Sequence, residues 1–173
     1  MRQLVISCSL SPKSHSAIMA HRLSDEITDL GDEVRLIDLR EFDLPFCDGD
    51  ACYAHPHVQT LQAAIKEASA ITIATPIYNY ETGGGTRNVI ALGGDAFTGK
   101  IIGFLCAAGG ENSYMAVMSL ANSLMLDFRC VVVPRFVYAS GAAFTDGRLS
   151  EPKVEGRITE IANELHRFAS ALS

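Results

Sequence analysis

No apolar run in this chain approaches the roughly 18 residues that a membrane-spanning helix needs. A basic, apolar, small-residue leader is also missing, so no secretion is expected. The five cysteines are odd in number and scattered without framework spacing in a 173-residue chain. A domain of that length builds a two-sided core without staples, which points to reduced thiols in the cytoplasm. Basic clusters are absent and the net charge is −6, which argues against nucleic acid and anionic membrane partners. Neither G-x-x-x-x-G-K-[ST] nor G-x-G-x-x-G occurs, so there is no nucleoside-triphosphate loop and no dinucleotide fingerprint. The G-x-S-x-G elbow of a serine hydrolase is missing too. There is no repeat, low-complexity tract or linker, and residues 1–173 read as a single domain.

What the chain does have is hydrophobicity. Apolar residues make up 48% of it and the mean hydropathy is +0.17, which suits a parallel sheet buried on both faces. Its most distinctive stretch runs from Ala74 through Thr75, Pro76, Ile77, Tyr78, Asn79, Tyr80, Glu81 and Thr82 to Gly83-Gly84-Gly85, Thr86, Arg87 and Asn88. It leaves the β-branched run Ala70–Ala74, a buried strand. Pro76 has no N–H and is expected to stop the ladder. Two tyrosines and an asparagine then occupy an exposed turn, and three glycines allow the backbone close approach before a helix begins near Thr86. A flat aromatic ligand held by backbone amides needs these features.

Taken in order, Gln3–Ser7 is a short strand followed by a loop with five hydroxyls between Ser7 and Ser16. Ala20, Leu23, Ile27 and Leu30 then recur at helical spacing, and Gly31 caps that helix. Strand, serine-rich loop and helix N-terminus together make an anion site, with free N–H groups and the helix dipole facing the anion. Turn formation and helix capping are the commoner uses of such serines. Glu33–Leu39 is the second strand. Residues 40–53 read as irregular; Cys47, Cys52, His55 and His57 fall close together, but their spacing matches no zinc ribbon or finger and Pro56 leaves no helical face to aim the histidines. No structural metal is expected there. Val58, Leu61, Ile65 and Ala68 mark the second helix. Lys100–Ala107 is a fourth strand, running into Ala108-Gly109-Gly110 and a helix from about Asn112. Cys130–Val133 is a fifth, resuming at Phe136–Tyr138, and Val154, Ile158, Ile161, Leu165, Phe168 and Leu172 pattern the last helix.

This β-α alternation predicts an α/β three-layer sandwich: a five-stranded parallel sheet with helices on both faces. In the order 2-1-3-4-5 the sheet reverses direction between strands one and three, and ligands bind outside the carboxyl ends of strands at such a point. The serine loop, the tyrosine-glycine loop and the Gly109-Gly110 loop end strands one, three and four, so all three converge on one crevice.

The motifs in these loops resemble those of the NAD(P)H-dependent FMN reductase family, which has the flavodoxin-like fold. Cys8-Ser9-Leu10-Ser11-Pro12-Lys13-Ser14-His15-Ser16 aligns with that family's G-S-x-R-x-x-S-x-N. Asp38-Leu39, Leu44 and Pro45 match D-L-x-x-x-x-L-P. Thr75-Pro76, Tyr78-Asn79, Gly84 and Arg87-Asn88 match T-P-E-Y-N-G-S-x-P-G-x-L-K-N. Gly109-Gly110 matches the strand-to-Gly-Gly loop, and the likeness weakens beyond about residue 125. Four positions depart from the pattern. Ser11 replaces an arginine, Ile77 a glutamate and Tyr80 a small residue, while Ala91-Leu92 stand where Asp-Trp often follows.

The resemblance implies an FMN cofactor with NADPH or NADH as co-substrate. Hydride would pass to flavin N5 and electrons onward to a small-molecule acceptor such as free flavin, a quinone or an azo compound. No protein nucleophile is implied. Ser9, Ser11, Ser14, His15 and Ser16 would hold the phosphate, with Pro76, Ile77, Tyr78, Asn79, Tyr80, Ala108, Gly109 and Gly110 around the flavin. A homodimer or homotetramer is implied as well. Two other readings stand beside this one: a flavodoxin-type electron carrier without nicotinamide turnover, and a flavin-free anion-binding domain.

Overall fold

The computed structural model describes residues 1–172. Its central sheet is built on β1 (Arg2–Ser7), β2 (Glu33–Asp38), β3 (Ala70–Tyr78) and β5 (Ile101–Ala108), all parallel, in the order β2-β1-β3-β5. Helices α1 (His15–Asp29), α2 (Pro56–Glu67), α3 (Gly84–Gly93), α4 (Met118–Asp127) and α5 (Pro152–Leu172) cover it.

The expected fifth strand is split. β6 (Val131–Val132) pairs with Ile101 and Ile102, and β7 (Val137–Ser140) pairs with Leu105–Ala108, on the same edge of β5. Pro134 and the left-handed Arg135 (φ 61°) lie between the two pieces. Proline offers no donor to the ladder, and a bulky residue at positive φ cannot continue a strand. A second addition is β4 (Glu81–Thr82), antiparallel to the end of β3. The sheet therefore has seven strands, two more than expected, while the long strands keep the expected order.

Strand alternation sorts the core into two layers. Leu4, Ile6, Ile71, Ile73, Ile102 and Phe104 face α2, α3 and α4. Val5, Ala70, Ala74, Leu105 and Ala107 face α1 and α5. The second face is small at its centre, and large helix side chains (Met19, Leu23, Ile158, Ile161, Leu165) fill the space. A Cβ on Gly103 would meet Ile161 Cδ1 at 3.2 Å and Leu165 Cδ2 at 3.3 Å, so this glycine sets how closely α5 seats on β5.

At the starts of β1 and β2 one polar cluster ties the sheet to α5. Asp32 is buried and accepts hydrogen bonds from the Met1 amine (2.8 Å), Gln3 Nε2 (2.7 Å) and His166 Nδ1 (2.9 Å). Burial pushes this carboxyl up, but the three donors outweigh it and hold the pKa below the ordinary carboxylate value. A depressed folded-state pKa contributes stability above the unfolded value, lost as pH falls through the ordinary carboxylate range toward the folded value. Asp32→Asn is expected to lower stability at neutral pH by about 1–3 kcal/mol, because charged acceptors make the stronger hydrogen bonds. The gap between wild type and variant should narrow below about pH 4, as followed by urea denaturation across pH.

Candidate functional site

β1 makes its last rung at Ser7, opposite Ala74, and Cys8 N–H then donates to Ala74 O at 2.8 Å. β3 does not stop there: it runs on to Tyr78, so Pro76 lies within a strand, opposite Ala107, and does not end it. The exposed edge beyond Ser7 is taken by β4. Gly83 N–H donates to Pro76 O at 2.9 Å, and the proline cannot return the bond. Gly83 O is thereby left for the first turn of α3, where it accepts from Thr86 N–H (2.9 Å) and Arg87 N–H (3.4 Å). One missing donor thus converts a strand pairing into a helix start.

The tyrosine turn is a two-residue hairpin. Asn79 (φ 51°) and Tyr80 (φ 65°) are both left-handed, as a turn of the primed type requires. This backbone explains the small residue in the family pattern and makes Tyr80 a strained occupant. Tyr78 and Tyr80 are exposed, whereas Ile77 points into the core.

The glycines have separate tasks. A Cβ on Gly85 would lie 2.8 Å from Cys8 O, and one on Gly83 would lie 2.9 Å from Pro76 Cγ; Gly84 meets nothing within 4 Å. Two of the three therefore serve internal packing of α3 against β1 and β3. A hydrogen bond between Thr75 Oγ1 and Thr86 Oγ1 (2.7 Å) closes the same junction.

Above this junction opens a cavity of about 430 Å³ walled by Leu10, Ser11, Pro76, Tyr78 and Gly84 on one side and Phe42, Leu44 and Phe46 on the other. The second wall was missing from the sequence-derived site, although Leu44 and Pro45 lie in a matched motif. Asn88 holds it: its Nδ2 donates to Pro45 O (2.9 Å) and its Oδ1 accepts from Cys47 N–H (2.9 Å). Arg87 is engaged by Glu81 (3.2 Å) and Ser119 Oγ (2.6 Å).

The hydroxyls of the serine loop bond within the loop and the start of α1. Ser14 caps α1, its Oγ accepting from Ala17 N–H at 3.0 Å, and it contacts Ser16 Oγ at 3.0 Å. Ser9 Oγ accepts from Ser11 N–H at 3.3 Å, and Ser11 Oγ from Lys13 N–H at 3.3 Å. The amides of His15 and Ser16 are in the first turn of α1 and have no acceptor within the helix. His15 does not offer its ring freely: it stacks on Phe144 with centroids 4.0 Å apart. Phe144 belongs to a small hairpin, β8 (Phe144–Thr145) and β9 (Arg148–Leu149), turned at Asp146-Gly147. Beside it a second depression of about 530 Å³ is lined by Lys13, Ser14, His15, His21 and Arg40. Arg40 is paired with Asp38, whose carboxyl burial pushes up and Arg40 holds below its ordinary value.

Ala108 ends β5, and Gly109 and Gly110 follow it, with open space where each Cβ would stand. Neither glycine lines the two cavities above. Tyr138 O–H donates to Gly110 O at 2.5 Å and steadies the loop. The helix expected from about Asn112 begins with a 3₁₀ turn, Tyr114–Val117, before α4. At the Cys47–His57 segment, His55 caps α2 through Nδ1, accepting from His57 N–H at 3.2 Å, and Pro56 opens that helix. The proline thus starts a helical face where sequence reading expected none. His57 stacks on Phe42 and bonds Asp43 O at 2.7 Å. Among the described residues no three His, Cys, Asp or Glu side chains are grouped as a metal ion needs.

A parallel α/β sandwich with small-residue loops at its switch point defines a flavodoxin-like protein. The chain belongs to the NADPH-dependent FMN reductase family, whose model matches residues 1–145. It is 26% identical over 151 residues to an NAD(P)H-dependent FAD/FMN reductase of Geobacillus thermodenitrificans, covering 86% of this chain and 79% of that one. It is also 25% identical over 178 residues to an FMN reductase (NADPH) of Pseudomonas putida, covering 98% and 88%. Among solved structures, the flavoenzyme NAD(P)H:(acceptor) oxidoreductase FerB of Paracoccus denitrificans superposes with a TM-score of 0.79 at 19% identity over 98% of this chain and 97% of that one. That structural likeness concerns the fold.

The contrast between neighbouring glycines is testable. Gly85→Ala is expected to cost about 1–3 kcal/mol, since its Cβ meets backbone that cannot move aside. Gly84→Ala should be neutral within about 0.5 kcal/mol. Denaturant midpoints of the two variants, compared with wild type, check this.

Proposed function

We propose that this protein is an NAD(P)H-dependent FMN oxidoreductase whose FMN lies across the switch point, its phosphate in the Ser9–Ser16 loop and its ring between the Pro76–Tyr80 and Ala108–Gly110 loops. The observation that carries the reading is the junction itself: the loops after β1, β3 and β5 leave the same end of the sheet, the first turn of α1 adds its free amides there, and the Cβ positions of Gly109 and Gly110 are open. These features fit the cofactor. A phosphate dianion is suited to helix N-terminal amides and the Ser9 and Ser16 hydroxyls. Lys13 lines the neighbouring depression and favours the same sign of ligand. The dimethylbenzene end of an isoalloxazine ring is flat and apolar and suits the apolar side chains of Leu10 and Pro76 beside the turn after β3.

FMN, when bound, supplies the hydride acceptor and the electron relay. The chain supplies position and electrostatics. Amides of the Gly109-Gly110 loop would lie beside the flavin and would stabilise negative charge there without reorganising. The side chains of Tyr78 and Tyr80 stand exposed on the turn after β3 and would limit what stacks on a flavin held there. The sequence relatives are reductases, an NADPH azoreductase of a Bacillus species among them, which favours an enzyme over an electron carrier.

The acceptor is a small molecule. All five cysteines are free thiols, which supports a reducing cytoplasmic setting. A homodimer or homotetramer fits the exposed Leu126 and Met125 on α4, which such an assembly would cover. No helix among the described residues is long and apolar enough to cross a membrane.

Binding tests the placement. FMN should bind far more tightly than riboflavin, and Ser9→Ala with Ser16→Ala should remove most of that difference without unfolding the protein. Each lost hydrogen bond to the charged phosphate corresponds to about 1.5–3 kcal/mol. Gly109→Val should lower flavin occupancy by filling the open space. Equal affinities for FMN and riboflavin by fluorescence quenching would remove the phosphate from this loop.

A further inference from the structure

The loop that forms the outer wall of the crevice carries two thiols in different environments. Cys47 is partly exposed; Cys52, on the short turn Ala51–Ala54, is buried. Asp48 folds the segment back on itself, accepting at Oδ1 from Asp50 N–H (2.9 Å) and Cys52 N–H (3.1 Å). The turn sets Cys52, with its buried thiol, beside Asp48 and on the same short fold as Cys47. Tyr53 O–H lies 3.6 Å from Cys47 Sγ.

We propose that Cys47 and Cys52 are a peroxide-responsive dithiol, in which Cys47 is oxidised first and Cys52 closes the disulfide. The donors around Cys47 favour its thiolate: the Tyr53 hydroxyl first, then the Gly49 amide, hold this thiol below its ordinary pKa. Cys52 stays protonated, pushed up by burial and by its hydrogen bond to Asp48. The other thiols are unreactive by comparison. Burial raises Cys8 to about 12 and Cys130 to about 11, and raises Cys106 as well.

The oxidant is a hydroperoxide, the product formed when reduced flavin meets oxygen; that source rests on the flavoenzyme reading, but the chemistry at the thiols does not. The Cys47 thiolate attacks one peroxide oxygen. The O–O bond breaks, sulfur becomes a sulfenic acid, and the departing hydroxide takes a proton to leave as water. Cys52 then loses its proton to water and attacks that sulfur. The S–S bond forms, the S–O bond breaks, and a second water departs. Two thiols and one hydrogen peroxide yield one disulfide and two waters. So short a loop gains little stability from a cross-link, since loop-closure entropy is small. The bridge therefore acts on local structure, and it lies next to Phe46 and the Asn88 clamp.

The test supplies hydrogen peroxide directly to the full-length protein and maps its thiols by peptide mass spectrometry, so the outcome does not depend on flavin binding. The peptide holding Cys47 and Cys52 should lose the mass of two hydrogens and regain it with a dithiol reductant. Cys52→Ala should arrest the reaction as a sulfenic acid on Cys47, captured by dimedone, while Cys47→Ser should show no adduct on Cys52. A wild-type peptide that stays a dithiol while Cys8, Cys106 or Cys130 oxidises would overturn the proposal. So would dimedone capture at Cys52 in the Cys47→Ser variant.

Discussion

Everything at the candidate site depends on β1 stopping at Ser7 while β3 continues to Tyr78. The unpaired edge of β3 has to be satisfied, because orphaned backbone groups in a buried sheet are costly. β4 satisfies it on one side of the tyrosine turn, and α3 begins where Pro76 breaks the reciprocity of that pairing. Because α3 begins there, it comes within van der Waals reach of Cys8, and only glycine fits at position 85. The crevice is what remains open between the loop after β1, the turn after β3 and the wall clamped by Asn88.

The serine loop shows how one short segment serves both fold and ligand. Ser14 is consumed as a helix cap and Ser11 as a turn acceptor. His15 is fixed by stacking on Phe144. Ser9 accepts from Ser11 N–H and Ser16 contacts Ser14, so in the proposed site an anion would meet chiefly the loop's amides, with these two buried hydroxyls beside them. Preorganised donors of this kind cost little to align when a ligand arrives. In the proposed site Lys13 supplies charge from nearby in place of the arginine that this chain lacks in its loop.

The sheet order and the two-layer core were legible in the sequence, because buried parallel strands read as apolar runs and the helices between them keep a clear period. The three loops were legible too, from serine and glycine density at strand ends. The fates of single residues were less so. Pro76 looked like a strand end, but its missing donor matters only on the edge side, which pairing alone decides. Asp146-Gly147 carried a hairpin signal that went unread, and with it the partner of His15. Asn79-Tyr80 lacks the glycine that marks such turns, so its left-handed backbone left no trace in composition. The Phe42–Phe46 wall was hidden because long-range hydrogen bonds from Asn88, and not local pattern, hold it in place.

The central claim is that this crevice presents bound FMN to a nicotinamide. Anaerobic stopped-flow absorbance of the FMN-loaded protein tests it most directly. Mixing with NADPH or NADH is expected to bleach the oxidised flavin band in a saturable, single-turnover phase, because hydride transfer needs the two rings in contact. A flavin that stays oxidised with both nicotinamides, yet is reduced by a separate reductase protein, would contradict the account.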